Sequence, residues 1–363
     1  MKSRRRLWAL VAVSVAVGAA SAACSPGYVL RAAWEEARIL NRRRPIAEMV
    51  ADTATSWETR DKLLLVLQAR AYAADSLRLD AGDSYTLFSR VDSDTLVMVL
   101  SAAERTQMQA HTWWFPIVGR VPYKGFFDPD DAARAQRKLE SRGLDTYLRP
   151  SAAFSTLGWF NDPLLSTLLR YDHVSLGNTV IHEIFHNTFY AAGQATFNES
   201  LANFVGSRGA IDFFCRRDGA VSTTCRTATA AWEDDLVFGA FLTSLVTELD
   251  SLYARTDLGD DAKLAARERV FQAAQQRFTA EVTPRLQVNS FASFTHEPLN
   301  NATLIARRIY YDRLDVFERL YRARGGDLRR TIDDVVAAAR DAADPYAAVE
   351  ALLAPAAPSA VAP

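Results

Sequence analysis

This sequence has no excess of charge of either sign. Its 42 Lys and Arg residues are balanced by 43 Asp and Glu residues, which gives a formal net charge of −1. Its short basic runs, such as Arg42–Arg44, have acidic neighbours and read as solvated faces. A dedicated nucleic-acid surface needs clustered, unbalanced basic residues. We therefore expect no nucleic-acid partner.

Repeats and long linkers are also absent, so nothing in the sequence divides the chain into two large domains. With 49% hydrophobic residues, the chain has enough apolar material for a sizeable core. We predict one domain over residues 24–352. The Ala/Pro-rich residues 353–363 have low complexity and are predicted to be a disordered tail.

Cysteine is scarce, with three residues in the chain, and the first follows a targeting segment. A positively charged start precedes the apolar run Leu7–Ala20 and a small-residue stretch, which is the arrangement of a bacterial secretory signal at residues 1–23. Cys24 resembles the lipid-modified cysteine of bacterial lipoproteins, although Ser21 stands where such signals usually carry Leu. Ordinary cleavage, or retention of the run as a short membrane anchor, are the alternatives.

Lipidation of Cys24 would attach the protein to a membrane. We therefore predict a location at the periplasmic side of the bacterial cell envelope. Cys215 and Cys225 are separated by nine residues, and a disulfide between them is expected in an oxidising compartment. Two free buried thiols are the alternative.

Hydrophobic periodicity predicts an α+β fold. Residues 28–80 show the spacing of helices, whereas the β-branched and aromatic residues after position 83 favour strands. A helix with an Asp-Pro start is predicted over 129–142. Two further helices are expected over 174–192 and 197–209, so that 83–209 would hold a sheet and both of these helices. Residues 228–350 are predicted to be mostly helical.

Histidine is scarce as well, and two of the five histidines stand four residues apart in IHEIFH. On an α-helix, His182 and His186 lie on one face and can bind one metal ion. Glu183 is turned to the side of that face, where it can take a proton from an attacking water instead of binding the metal. A surface helix with an incidental histidine pair is the alternative.

Glu199 is the predicted third ligand. It follows His186 by thirteen residues, in FNESLANF, and a carboxylate on such an apolar helix is costly to bury without a cation. A helix N-terminal charge is the alternative. Asn198 and Asn203 could orient the ligands by hydrogen bonding or could face solvent.

Zinc suits two imidazoles and a carboxylate, because a tetrahedral site then keeps one position open for water. Such an ion makes a water acidic near neutral pH and polarises a carbonyl group. Glu183 would act as the general base toward the water and as the acid toward the leaving amine.

The motif H-E-x-x-H, followed by Asn-Glu on a second helix, resembles that of the gluzincin metallopeptidases, the class that contains thermolysin. The whole chain is similar to a bacterial family of lipoproteins labelled putative aminopeptidases. The matching stretches, which span roughly residues 24–325, are CSPGYVLRAA, NRRRPI, VGRVPYKGFFD, FSTLGWFNDPLL, HEIFHNTFY, FNESLANFVGSRG and NNATLIARRIYYDRLDVFERL.

This resemblance implies a zincin-like core, bound Zn²⁺ and peptidase activity on a peptide or protein substrate. It assigns His182, His186 and Glu199 as ligands and Glu183 as the base. The gap between His186 and Glu199 is shorter than in thermolysin-like enzymes, which requires a tight turn between the two helices.

A peptidase also needs a group that stabilises the oxyanion. Tyr310 is the leading candidate, with core packing as the alternative, and Tyr123 and His173 follow it. His111 is expected to be structural and His296 to lie on the surface. The substrate backbone could pair with an edge strand at residues 152–157, which could equally be an ordinary strand.

The sequence lacks the aminopeptidase motif Gly-x-Met-Glu-Asn, so it does not distinguish an exopeptidase from an endopeptidase. The leading hypothesis is a zinc-dependent peptidase. The alternative is a non-catalytic, zinc-containing envelope lipoprotein that binds peptides.

Overall fold

The computed structural model describes residues 43–91, 97–115, 119–151 and 162–354. The predicted signal at 1–23, Cys24, the predicted edge strand at 152–157 and residues 355–363 of the tail lie outside the described residues.

The chain folds as an α+β protein in which helices predominate, so the α+β part of the predicted fold class is confirmed. The described N-terminal part forms a short strand, β1 (Arg43–Pro45), and two helices, α1 (Ile46–Ala51) and α2 (Trp57–Asp75). Helix α2 begins where the Ser56 side chain accepts a hydrogen bond from the Thr59 amide, which satisfies a free N–H of the first turn. Strand β1 lies within residues 28–80, which were predicted to be helical. The prediction missed this strand because three residues are too few to show the alternation of a strand.

Three small sheets follow. The strands are β2 (Leu87–Ser89), β3 (Val97–Ala103), β4 (Trp113–Phe115), β5 (Gly119–Val121), β6 (Tyr123–Phe126), β7 (Asp145–Ser151) and β8 (Leu164–Leu165). They form the sheets β1-β2-β8, β6-β3-β7 and β4-β5. Strand β3 pairs antiparallel with β6 and with β7, where Val99 lies opposite Arg149.

One face of the sheet β6-β3-β7 is covered by helix α3 (Pro129–Glu140). Asp128 caps this helix by accepting hydrogen bonds from the amides of Asp130 and Asp131, as the Asp-Pro start predicts. A small apolar cluster fills the space between helix and sheet. Its buried members are Leu100, Ala102, Phe126, Ala132, Leu139 and Leu144.

The remaining described elements are helical apart from their connections. They are α4 (His173–Thr188), α5 (Ala195–Asp218), α6 (Thr223–Tyr253), α7 (Asp260–Arg277), α8 (Ser293–His296), α9 (Asn301–Tyr311), α10 (Leu314–Ala323), α11 (Leu328–Ala339) and α12 (Pro345–Ala351). A 3₁₀ turn (Ser166–Arg170) precedes α4, and a π-helical turn (Phe278–Val282) extends α7. Cys215 near the end of α5 and Cys225 at the start of α6 are joined by a disulfide.

Two large apolar clusters hold the helices together. The larger contains buried residues of α2, α4, α5 and α10–α12, whereas the smaller lies between α6, α7 and α9 and is rich in phenylalanine. Helix α6 is long and apolar enough to cross a membrane by length and composition. Its apolar face, however, contributes to both clusters, with Trp232 and Phe238 each 1% exposed. Core helices of folded domains pass the same length and composition test.

Candidate active site

Helix α4 presents the two motif histidines. Asp172 caps it by accepting a hydrogen bond from the Ser175 amide, and its apolar side is buried in the larger cluster. His182 and His186 lie one turn apart, and their Nε2 atoms are 3.2 Å apart. His186 is buried, whereas His182 keeps a side-chain exposure of 13%. The pair therefore faces a space that solvent reaches from the His182 side.

The connection from α4 to α5 is longer than the predicted helix bounds allow: it has six residues, 189–194, where four were predicted. We predicted a helix up to residue 192, but α4 ends at Thr188 because Phe189 adopts an extended conformation (φ −150°, ψ 133°). Gly193 then turns the chain with φ +78°, a value that favours glycine. Gly119 of β5 packs closely on this turn, since a Cβ added to it would lie 3.2 Å from the Gly193 nitrogen.

Asn198 holds this turn in place. Its Oδ1 accepts a hydrogen bond from the Ala191 amide at 2.9 Å, and its Nδ2 donates to the Ala191 carbonyl at 2.7 Å. The Asn198 side chain is buried, with 1% of the residue exposed. Because Asn198 precedes Glu199 directly, these bonds fix where the second helix begins relative to the end of the first.

Helix α5 carries Glu199 and runs to Asp218, beyond the predicted end at residue 209. Glycines at the crossing of α4 and α5 allow the two backbones to approach. A Cβ on Gly206 would lie 2.4 Å from Asn178 Oδ1 and 3.0 Å from His182 Cβ. Glu199 Oε2 consequently lies 3.4 Å from His182 Nε2 and 3.6 Å from His186 Nε2. The structure brings the three predicted ligands together.

Electrostatics couple these three residues. Burial alone would raise the pKa of Glu199, but the adjacent imidazoles of His186 and His182 hold it well below its usual value. Burial would lower the pKa of His186, yet the Glu199 carboxylate raises it. A buried carboxylate flanked by two imidazoles is a donor set that attracts a cation.

Glu183 differs from Glu199 in its surroundings. Burial raises the pKa of Glu183, and the nearby histidines offset only part of this effect. Its Oε2 atom is buried without a hydrogen-bond partner among the described residues. A carboxylate with a raised pKa and a free acceptor oxygen is suited to take up and release a proton.

The spacing of the donor atoms fits zinc. Zinc binds imidazole nitrogen and carboxylate oxygen at about 2.0–2.2 Å in tetrahedral sites, so that two such donors lie roughly 3.3–3.5 Å apart. The three donor pairs in this site are separated by 3.2, 3.4 and 3.6 Å. Among the described residues this is the one group of three His, Cys, Asp or Glu residues close enough to share an ion.

Tyrosines surround the donor cluster. The ring of Tyr310 on α9 lies 6.5 Å from that of His182, centroid to centroid. Burial and the nearby Glu199 raise the pKa of Tyr310 to about 12 and that of Tyr190 to about 12. Tyr123 on β6 is close enough to Glu199 and Tyr310 that both add to the effect of burial in raising its pKa. Of the candidates for oxyanion stabilisation, Tyr310 and Tyr123 thus lie near the ligands.

Asn203 supports the site indirectly, through the backbone of Tyr310. Its Nδ2 donates to the Tyr310 carbonyl at 2.9 Å. Asn203 also lies near Asp235, a buried residue of α6 whose pKa is raised to about 7 by burial. Within the described ranges, neither Asn198 nor Asn203 forms a hydrogen bond to the side chain of a candidate ligand. Asn198 holds the turn and Asn203 holds α9, whereas the sequence pattern allowed direct hydrogen bonds to the ligands.

The other histidines lie elsewhere. His173 Nε2 lies 2.6 Å from the Asp61 carboxylate at the exposed start of α4, so the structure does not bring it to the donor cluster. His111 packs edge-on against Trp113 at 4.8 Å, and burial lowers its pKa. His296 ends the short helix α8.

Sequence reasoning did not single out Arg149, Tyr171 or Tyr190. Tyr171 lies near Glu183, and Arg149 lies near Tyr310. Tyr171 and Tyr190 flank the helix that bears the motif, which was a usable signal. Arg149 had no comparable signal in the sequence, because 161 positions separate it from Tyr310.

A family model described as "Putative aminopeptidase" matches residues 27–346. No curated protein and no solved structure matches the chain significantly.

Proposed function

The chain belongs to the "Putative aminopeptidase" family, which suggests peptidase activity, and from this premise we propose that it is a zinc-dependent peptidase. The observation that carries the proposal is the donor triangle of His182, His186 and Glu199. Its sides of 3.2–3.6 Å suit a tetrahedral zinc site with one position left for water. A zincin-like arrangement of α4 and α5 is part of the same proposal.

The roles of the residues follow from their surroundings. His182, His186 and Glu199 would hold Zn²⁺, which when bound supplies a Lewis acid that makes water acidic and polarises a carbonyl group. Glu183 would take the proton of the attacking water at its buried Oε2 atom. It would then pass the proton to the amine that leaves as the peptide bond breaks.

Tyr310 is proposed to donate a hydrogen bond from its phenol to the carbonyl oxygen of the scissile bond, on which negative charge develops. With a pKa raised to about 12, this phenol keeps its proton at neutral pH. A donor that is already oriented in a partly buried site stabilises such a charge far more than water does.

The cell-envelope location is proposed with the function. The Cys215–Cys225 disulfide supports an oxidising compartment. Attachment to a membrane through a lipid on Cys24 stays a prediction, because Cys24 lies outside the described residues.

Incubation of the zinc-loaded protein with a mixed peptide library, with and without a chelator, tests the proposal. We expect cleavage that the chelator abolishes and that added zinc restores. The positions of the cleaved bonds decide between removal of N-terminal residues and internal cleavage. One equivalent of bound zinc without any cleavage would favour the non-catalytic peptide-binding lipoprotein instead.

A further inference from the structure

The last turn of helix α9, which carries Tyr310, depends on groups outside the helix. Asp312 has an extended backbone (φ −74°, ψ 124°) and Arg313 a left-handed one (φ +50°), so the chain leaves the helix axis directly after Tyr311. The carbonyl groups of a final helical turn have no partner within the helix. An end of this kind frays unless other groups bind it.

Ser200 on α5 binds this end through a buried hydroxyl. Its Oγ atom donates to the Ile309 carbonyl at 2.9 Å and accepts from the Asp312 amide at 3.0 Å. A serine hydroxyl has one proton to donate, so the bond to Ile309 uses that proton and the bond from Asp312 uses a lone pair. Ser200 is 0% exposed. The hydroxyl therefore bridges the two sides of the turn in which Tyr310 lies.

Asn203 binds the same turn at Tyr310 itself. Its Nδ2 donates to the Tyr310 carbonyl at 2.9 Å. Its Oδ1 accepts from Ser207 Oγ at 3.4 Å, and Ser207 Oγ accepts from Asn178 Nδ2 at 3.1 Å. Because both ends of the Asn203 amide have a partner, its orientation is fixed. This chain of hydrogen bonds runs from α4, which bears the two motif histidines, through α5 to α9.

The spacing along α5 explains how one helix holds both a candidate ligand and the tyrosine. Residues four apart share a helix face, so Glu199 and Asn203 point to the same side, with Ser200 beside them. Glu199 Oε2 lies 3.4 Å from His182 Nε2, and the Tyr310 ring lies 6.5 Å from the His182 ring, centroid to centroid. One side of α5 thus sets the third donor and the tyrosine around the same histidine.

We propose that Ser200 and Asn203 are positioning residues, which fasten the last turn of α9 to the helix of Glu199 and so set where the Tyr310 phenol stands relative to the metal ligands. The phenol lies at the far end of a long side chain, so a small rotation of the turn moves the hydroxyl further than the backbone. A misplacement of about 1 Å can cost on the order of 100-fold in rate. This inference rests on the proposed function, in which Tyr310 binds the developing oxyanion.

Asn203→Ala is the primary test, compared with Tyr310→Phe and the double variant, all loaded with zinc. Loss of an oxyanion donor lowers kcat about 100- to 1000-fold, which we expect for Tyr310→Phe. Asn203→Ala should lower kcat about 10- to 100-fold, with KM within about 3-fold of wild type. In the Tyr310→Phe background, Asn203→Ala should lower kcat by no more than about 2-fold, because Asn203 acts through the phenol.

Ser200→Ala should show the same pattern, with a large loss of kcat alone and almost none in the Tyr310→Phe background. This variant leaves a buried carbonyl and a buried amide unpaired, which is costly. If it does not fold, the inference is decided by Asn203→Ala. Asn203 is only partly buried, so water can replace its lost bond to the Tyr310 carbonyl and the variant should fold.

Two measurements separate positioning from stability. The zinc content of Asn203→Ala should equal that of wild type, and its affinity for a phosphinic peptide, whose tetrahedral phosphorus carries a negative oxygen, should fall as much as kcat/KM does. Tyr253→Phe is the matched control, because it removes a buried hydrogen bond of 2.8 Å to Asn301 at the other end of α9. It should leave kcat within about 2-fold of wild type.

Additive losses in the double variant would overturn the inference, since Asn203 would then act through a group other than the Tyr310 phenol. An equal loss of kcat in Tyr253→Phe would also overturn it, because any weakening of α9 would then suffice. An active wild type with an unchanged kcat in Asn203→Ala refutes this inference alone. A wild type that binds zinc but cleaves no peptide refutes the proposed function and the inference that rests on it.

Discussion

Asn198→Ala tests whether the turn between α4 and α5 builds the metal site. The substitution removes two hydrogen bonds, of 2.9 and 2.7 Å, to the backbone of Ala191. Each contributes about 0.5–1.5 kcal/mol to stability, which gives a loss of roughly 2 kcal/mol. Because Ala191 is only partly buried, water can replace some of these bonds, so we do not expect the full penalty of two unpaired groups.

The same substitution should weaken zinc binding. Glu199 is the next residue, and a looser turn must be ordered again when the ion binds. Loss of a supporting hydrogen bond near a metal ligand typically costs about 10- to 100-fold in metal affinity, and we expect the lower end. Urea unfolding of the metal-free protein and zinc titration against a competing chelator measure the two effects.

Asn178→Ala is the matched control for Asn198→Ala. Asn178 also links α4 to α5, through one hydrogen bond of 3.1 Å to Ser207, but it lies away from the turn. It should cost about 1 kcal/mol and leave the zinc affinity unchanged. The reasoning is refuted if Asn198→Ala unfolds within about 0.5 kcal/mol of wild type, or if both variants bind zinc as tightly as wild type.

Two further predictions concern Glu199 and the disulfide. Glu199→Gln should weaken zinc binding and, in the metal-free protein, cost about 2 kcal/mol. This cost should be largest between about pH 4.5 and 6.5. Because the pKa of Glu199 is lowered in the folded protein, its carboxylate stabilises the fold above the unfolded-state pKa of about 4.3. Because the pKa of His186 is raised, its protonated imidazole stabilises the fold below the unfolded-state pKa of about 6.5. Urea unfolding across this pH range checks the prediction, and a pH-independent difference would contradict it. Reduction of the Cys215–Cys225 disulfide, which spans ten positions, should cost roughly 2–3 kcal/mol, and an unchanged urea midpoint after reduction would rule this out.

The sequence predicted the parts of the site that depend on local spacing. His182, Glu183 and His186 lie within two turns of one helix, so helical geometry alone sets their relation. The helix of Glu199 was predicted from the apolar spacing of Phe197, Leu201 and Phe204. The need for a tight turn between the two helices was also clear, since only twelve residues separate His186 from Glu199.

The sequence could not predict features that depend on distant packing. The partners of Asn198 became clear only with the turn, because α4 ends at Thr188 and leaves the Ala191 backbone free to bond. Arg149 and Tyr310 lie near each other because β7 packs against α9, and no local pattern in the sequence predicts this proximity. The three-residue strand β1 pairs with β2, far along the chain, and its own sequence has no strand signal.

Glu183→Gln provides the most direct test of the proposed zinc-dependent peptidase. The amide keeps nearly the same size and shape as the carboxylate but can no longer take a proton. With His182, His186 and Glu199 unchanged, the variant should bind one zinc ion as wild type does and should lose measurable hydrolysis of peptides that wild type cleaves. A Glu183→Gln protein that holds zinc and still cleaves these peptides at the wild-type rate would contradict the proposed role of Glu183 and the mechanism built on it.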